Sequence, residues 1–325
     1  MSGKVTGLSQ PAVLADRLEV PWGVSFLPDG SALVAERRSG AVLRVTPDGV
    51  TASAGRVPGV ADQGEGGLLG LAVLDEGATV VAYLTSTSGD NRVVSMPYRG
   101  GTLGEPTVLL DSIPSGATHN GGRVVVGPDG NLWIGTGDAG DRERAQDTGS
   151  RGGKILRIAP DGAIPADNPF PGSPVWSYGH RNVQGLGFDS SGQLWATEFG
   201  QNSYDELNRI ERGGNHGWPV VEGRGGDTRF VDPVVTWRTE DASPSGLAII
   251  DDVAYVAALR GQRVWQVPLT GTTAGEPVAA LEGDFGRLRT VIAAPDGSLW
   301  LTTSNRDGRG DPVAEDDRVL RVTIT

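Results

Sequence analysis

The chain has 325 residues, 38% of them hydrophobic, which supports a sizeable core and excludes a disordered chain. No run approaches the roughly 18 apolar residues of a membrane-spanning helix. A net charge of −12 argues against a nucleic-acid backbone or an anionic membrane surface as main partner.

Cysteine is absent, so there is no disulfide, thiolate metal site or cysteine nucleophile. Only Lys4 and Lys154 are lysines, so nearly all of the 28 basic residues are arginine. The opening MSGKVTGLSQ lacks the apolar run of a signal peptide and reads, over residues 1–10, as a flexible lead-in to a single domain spanning 1–325.

In chain order, AVLADRLEV is a candidate strand standing ahead of six copies of one pattern. The copies read WGVSFLPDGSALVAE from Trp22, LLGLAVLDEGATVVAYL from Leu68, GGRVVVGPDGNLWIGTGD from Gly121, VQGLGFDSSGQLWATE from Val183, SGLAIIDDVAYVAAL from Ser245 and LRTVIAAPDGSLWLTT from Leu288. A third strand follows each: AVLRVTP, RVVSMPY, KILRIAP, ELNRIER, RVWQVPL and RVLRVTI. Short β runs joined by Gly/Asp/Pro turns, repeating at intervals of about 50–60 residues, predict an all-β, six-bladed propeller of four-stranded blades. The last copy stops after its third strand. The N-terminal strand AVLADRLEV is therefore expected to complete it and remove an exposed edge. Trp133, Trp195 and Trp300 recur at equivalent second-strand positions and read as core between blades.

In a propeller, the loops entering the inner strands share one face with the ends of the second strands. The polar residues at those places are Thr118-His119-Asn120-Gly121-Gly122-Arg123, His180-Arg181-Asn182-Val183-Gln184 and Arg287-Leu288-Arg289, then Asp138, Glu198-Phe199-Gly200-Gln201 and Arg260. A lone loop histidine is more often bonded to a carbonyl; Asp138 nearby points instead to His119 as a proton acceptor oriented by a carboxylate. His180 reads as packing. Four guanidiniums, from Arg181, Arg260, Arg287 and Arg289, would repel one another unless an anion sits among them, and their forks suit carboxylate or phosphate. Taken singly, each could instead pair with a local acid. The glycine-rich GDAGD lacks the strand-to-helix setting of a phosphate loop.

Taken together these residues resemble soluble quinoprotein aldose dehydrogenases of the glucose/sorbosone dehydrogenase type, which use pyrroloquinoline quinone (PQQ) and calcium. The resemblance runs from about Pro21 to Val322 and is carried by HNGGR, GTGDAG, GKILRI, GHRNVQGL, DELNRIERGGNHGWP and GRLRTV. It implies that His119 removes the sugar hydroxyl proton while hydride passes from the anomeric carbon to the quinone, that Asp138 holds His119, and that Arg181 stands beside the reacting carbonyl. By the same resemblance Asn120, Asn182, Gln184, Arg287 and Arg289 hold the cofactor, joined by Arg260 where the glucose enzymes place a lysine. The carbonyls of Gly200 and Gln201 would take the cofactor's calcium, Glu206 and His216 would flank a second calcium, and Glu65 would touch substrate. The short linkers between repeats imply an open pocket with broad or altered sugar preference. An external electron acceptor, a monomer or homodimer, and a periplasmic or secreted location follow from the same likeness. Two other readings stay open: a calcium-dependent lactonase, and a propeller that only binds glycans or a partner protein.

Overall fold

The glycines of the five PDG tripeptides, Gly30, Gly49, Gly130, Gly162 and Gly297, have φ of 82, 88, 76, 88 and 80°, a region that any Cβ makes costly. These turns divide the chain into the strands seen in the computed structural model, which describes residues 3–325.

Six antiparallel sheets form in sequence order. The first blade comprises Pro21–Phe26, Ala32–Glu36, Ala41–Val45 and Thr51–Arg56, and the second Leu68–Leu74, Thr79–Thr85, Asn91–Arg99 and Thr107–Ile113. The third uses Val124–Val126, Leu132–Gly135, Lys154–Ile158 and Val175–Tyr178; the fourth Val183–Phe188, Leu194–Glu198, Tyr204–Arg209 and Val235–Arg238. The fifth runs Pro244–Ile250, Val253–Ala258, Arg263–Thr270 and Val278–Ala280. The sixth has Leu288–Ala293, Leu299–Thr303 and Val319–Val322 from the C-terminal end, with Ala12–Ala15 from the other end as its outer strand. Ala12 pairs with Arg321 and Val13 with Leu320, so the expected closure is present. Residues expected to be a flexible lead-in are themselves tied down where described. Gly7 N–H donates to Thr325, Thr325 N–H to Gly7, and Ser9 N–H to Thr323, because the extended terminus continues the outer edge of the last blade.

Inner strands pack on inner strands around a central channel, where Val24, Leu71, Val124, Leu186, Leu247 and Val291, one from each blade, line a cavity of about 230 Å³. Between blades the small and branched side chains of successive sheets interlock. Trp133, Trp195 and Trp300 are all buried in these inter-blade clusters, as their repeat position predicts. Among the described residues no helix is long and apolar enough to cross a membrane.

Candidate active site

Loops entering the inner strands and leaving the second strands meet at one end of the channel. His119 sits there with φ of 57°, a left-handed conformation that a non-glycine residue adopts at some cost and that clusters at functional sites. The following glycines make the turn possible. A Cβ on Gly121 would lie 2.5 Å from the Thr136 Cα, and one on Gly122 would lie 2.6 Å from the Leu69 side chain. The HNGGR stretch is thus pressed between blades two and three, which fixes where the imidazole emerges.

His119 Nδ1 lies 2.7 Å from Asp138 Oδ1. The same carboxylate accepts from Gly140 N–H at 2.8 Å and from the Trp218 indole at 2.9 Å. Burial by itself would raise the Asp138 pKa, but the hydrogen bond and charge of His119, with the Gly140 and Trp218 donors, hold it below the ordinary carboxylate value. An ionised Asp138 places the imidazole proton on Nδ1 and leaves Nε2 as the basic nitrogen.

Arg287 and Arg289 alternate with Leu288 and turn to the same side, where both guanidiniums reach one carboxylate oxygen of Asp307, at 3.1 and 3.3 Å. Asp307 lies in the NRDGRG loop and had no counterpart in the sequence reading. One carboxylate between two guanidiniums leaves the pair cationic. Arg289 also donates to Gln184 Oε1 at 2.9 Å. Together with Trp22 and Arg37 these groups line a cavity of about 210 Å³.

Four buried donors around this mouth take no hydrogen bond among the described residues: Arg37 Nε, Arg181 Nε, Asn182 Nδ2 and Arg289 Nε. Buried donors left without a partner are free to receive acceptor oxygens of a ligand. Arg181 packs on the Trp218 ring and donates to the Phe199 carbonyl, while Asn182 Oδ1 accepts from Gly121 N–H at 3.0 Å.

The expected site residues do not all converge. Asn120 is buried with its amide spent on Gly116 of its own loop and on Asn91 at the start of strand Asn91–Arg99. Arg260 is exposed at the rim, lining a neighbouring recess with Gly200 and Gln201. Glu65 stands at the mouth, accepting from His119 N–H at 2.9 Å and pairing with Arg309 at 2.7 Å. His180 is fully buried between Ser177 and Glu198, and burial, then the charge of Lys154, depress its pKa to about 3. His216 stacks on it with ring centroids 4.5 Å apart. Glu206 accepts from Asn208 and Gly223 N–H nearby in the fourth blade, and burial raises both its pKa and that of Glu198.

The 200–204 loop is held through its N–H groups. Glu222 Oε1 gathers the N–H groups of Gln201, Asn202, Ser203 and Tyr204 at 2.7 to 3.2 Å, and Asp205 takes that of Gly200. The Gly200 and Gln201 carbonyls accept no hydrogen bond among the described residues. Free carbonyls of this kind suit a hard cation. No group of three or more His, Cys, Asp or Glu side chains is placed to hold a metal among the described residues.

Residues 18–315 match the family described as Glucose / Sorbosone dehydrogenase. The chain belongs to that family. A solved PQQ-bound aldose sugar dehydrogenase from Streptomyces coelicolor is 49% identical, with a TM-score of 0.95 over 98% of each chain. Aldose sugar dehydrogenase YliI of Escherichia coli is 30% identical over 91% of this chain and 90% of its own length. Quinoprotein glucose dehydrogenase B of Acinetobacter calcoaceticus is 35% identical over 67% of this chain and 54% of its own length.

Proposed function

We propose that this protein oxidises the anomeric hydroxyl of aldose sugars to the lactone, with His119 as general base and PQQ as electron acceptor. Its family makes it an oxidoreductase of the PQQ-dependent sugar dehydrogenase type. The observation that carries the detailed reading is the His119–Asp138 pair, with buried donors on Arg37, Arg181, Asn182 and Arg289 that have no partner among the described residues.

Each residue has a definable task. Asp138 orients His119 and stabilises the positive charge that the imidazole acquires when Nε2 takes the hydroxyl proton. Arg287, Arg289 and Gln184 grip carboxylates, with Arg260 reaching in from the rim. Arg181 and Asn182 present donors where negative charge gathers on a carbonyl oxygen. Bound PQQ supplies the two-electron acceptor that no side chain provides. The Gly200 and Gln201 carbonyls would hold its calcium as a Lewis acid. Glu206 belongs to a second calcium site near His216, a reading supported by the unpaired acceptor Asn208 Oδ1 close by in the strand. Glu65 offers acceptor oxygens to sugar hydroxyls beside the base. Transfer of the electrons to an external acceptor, outside the cytoplasmic membrane, completes the reading.

Purified protein mixed with PQQ and calcium should reduce an artificial dye only when an aldose is added. Absence of sugar-dependent reduction across a panel of aldoses would overturn the proposal. His119→Ala should lower kcat by about 10²–10⁴, the usual worth of general base catalysis, while leaving the PQQ Kd within about threefold. Arg287→Ala should do the opposite, weakening PQQ binding by about tenfold or more; equal effects of the two variants on binding would refute the division of labour.

A further inference from the structure

Arg123 has no task in the chemistry above, yet it occupies the axis of the propeller. Its Nε donates to the Gln184 carbonyl at 2.8 Å and its NH2 to Thr290 Oγ1 at 3.1 Å, joining blades three, four and six. Its guanidinium lies 4.3 Å from the centre of the Trp22 ring, which comes from blade one and lines the mouth. Below, Arg123 borders the apolar channel cavity with Val24, Leu186 and Val291. It therefore separates the polar mouth from the hydrophobic channel.

No carboxylate pairs with Arg123 among the described residues, although its residue surface is only 7% exposed. Burial, then the like charge of Arg289, draw its pKa down to about 9. A buried guanidinium without an anion is costly. The cost falls if an anion enters the space just above. Among the described residues Asp307 is the one carboxylate in ion-pair contact with Arg287 or Arg289, so this pair carries excess positive charge before any ligand arrives.

We propose that Arg123 is the cationic floor of the cofactor well: it closes the channel beneath Trp22 and supplies, from below and without touching the ligand, positive potential that a polycarboxylate neutralises. The inference rests on the PQQ reading for its natural ligand. Charge acts over several ångströms in a poorly screened interior, so its removal should be felt in affinity even without a direct contact.

The test compares wild type with Arg123→Met and Arg123→Lys by calorimetric titration with PQQ in calcium and with PQQ trimethyl ester, which lacks the three negative charges. Arg123→Met should bind PQQ about tenfold or more weakly and Arg123→Lys within about threefold of wild type. The ester should bind wild type and Arg123→Met equally. PQQ bound equally by wild type and Arg123→Met would overturn the proposal, as would an equal loss for the ester, which would make the role one of shape. If Arg123→Met does not fold, Arg123→Gln, which keeps donors for Gln184 and Thr290 without the charge, carries the same comparison. Failure of the wild type to bind PQQ would instead sink the proposed function. The floor would then be judged with citrate, a tricarboxylate with no quinone chemistry, and a wild type binding citrate no better than Arg123→Gln would sink it too.

Discussion

At the residue scale the proposed chemistry turns on which nitrogen of His119 is basic, and Asp138 decides that. Three donors converge on its carboxylate, from His119, Gly140 and Trp218, so it stays ionised deep in the protein. Asp138→Asn keeps the shape but removes the charge that balances an imidazolium. It should lower kcat by about 10²–10⁴ with PQQ affinity held within about threefold; an unchanged kcat would show that His119 needs no carboxylate. That His119 and Asp138 meet, and that Arg287 and Arg289 turn to one side, was legible in the sequence because they fall at loop and strand positions fixed by the repeat. Asp307, Arg37 and Trp218 were not legible. Each reaches the mouth from a different loop, and nothing in the local spacing of NRDGRG says that its aspartate will lie between two arginines.

At the element scale the repeat enforces itself through turn chemistry. Asp29, Asp129 and Asp296 of three PDG turns each accept from the N–H two residues on, and each also pairs with a third-strand arginine: Arg44, Arg157 and Arg321. The same aspartate thus closes the turn between the first two strands and pins the third. The sixth blade depends on strand Ala12–Ala15 from the other end of the chain, with Ala15 and Leu18 buried against Trp300 and Val319. Removing residues 3–15 leaves Val319–Val322 as a bare edge. The melting temperature should fall by about 5–15 °C, at about 2–4 °C per kcal/mol for a domain of this size. An unchanged melting curve would mean that the ring closes without this strand. Glu222 acts on the same scale, since one carboxylate orders four consecutive N–H groups.

At the scale of the whole molecule, a chain of net charge −12 concentrates cations at one mouth. Glu198 and Glu206 are the reverse case: buried acids that burial holds above their ordinary pKa. Their unfolded forms lose protons near pH 4–5 while the folded forms retain them, so the folded state binds more protons and stability falls as pH rises from there. Metal-free protein should therefore lose melting temperature between about pH 5 and 8, and calcium should restore more of it at pH 8 than at pH 5. A calcium effect equal at both pH values would exclude these carboxylates as its cause.

The amino-acid sequence by itself determined the ring. Turn glycines, alternating apolar strands and a truncated last repeat are local properties, and each selects the same architecture through backbone sterics and burial. The family motifs likewise singled out His119, Asp138 and the paired arginines, which the fold brings to the same end of the channel. Tertiary structure alone decided the electrostatics of the mouth, because charge balance depends on distances between loops far apart in the chain. It brought Asp307 between Arg287 and Arg289, spent the Asn120 amide on Gly116 and Asn91, and, among the described residues, left donors on Arg37, Arg181 and Asn182 unpaired and set Arg123 on the axis with no acid paired to it.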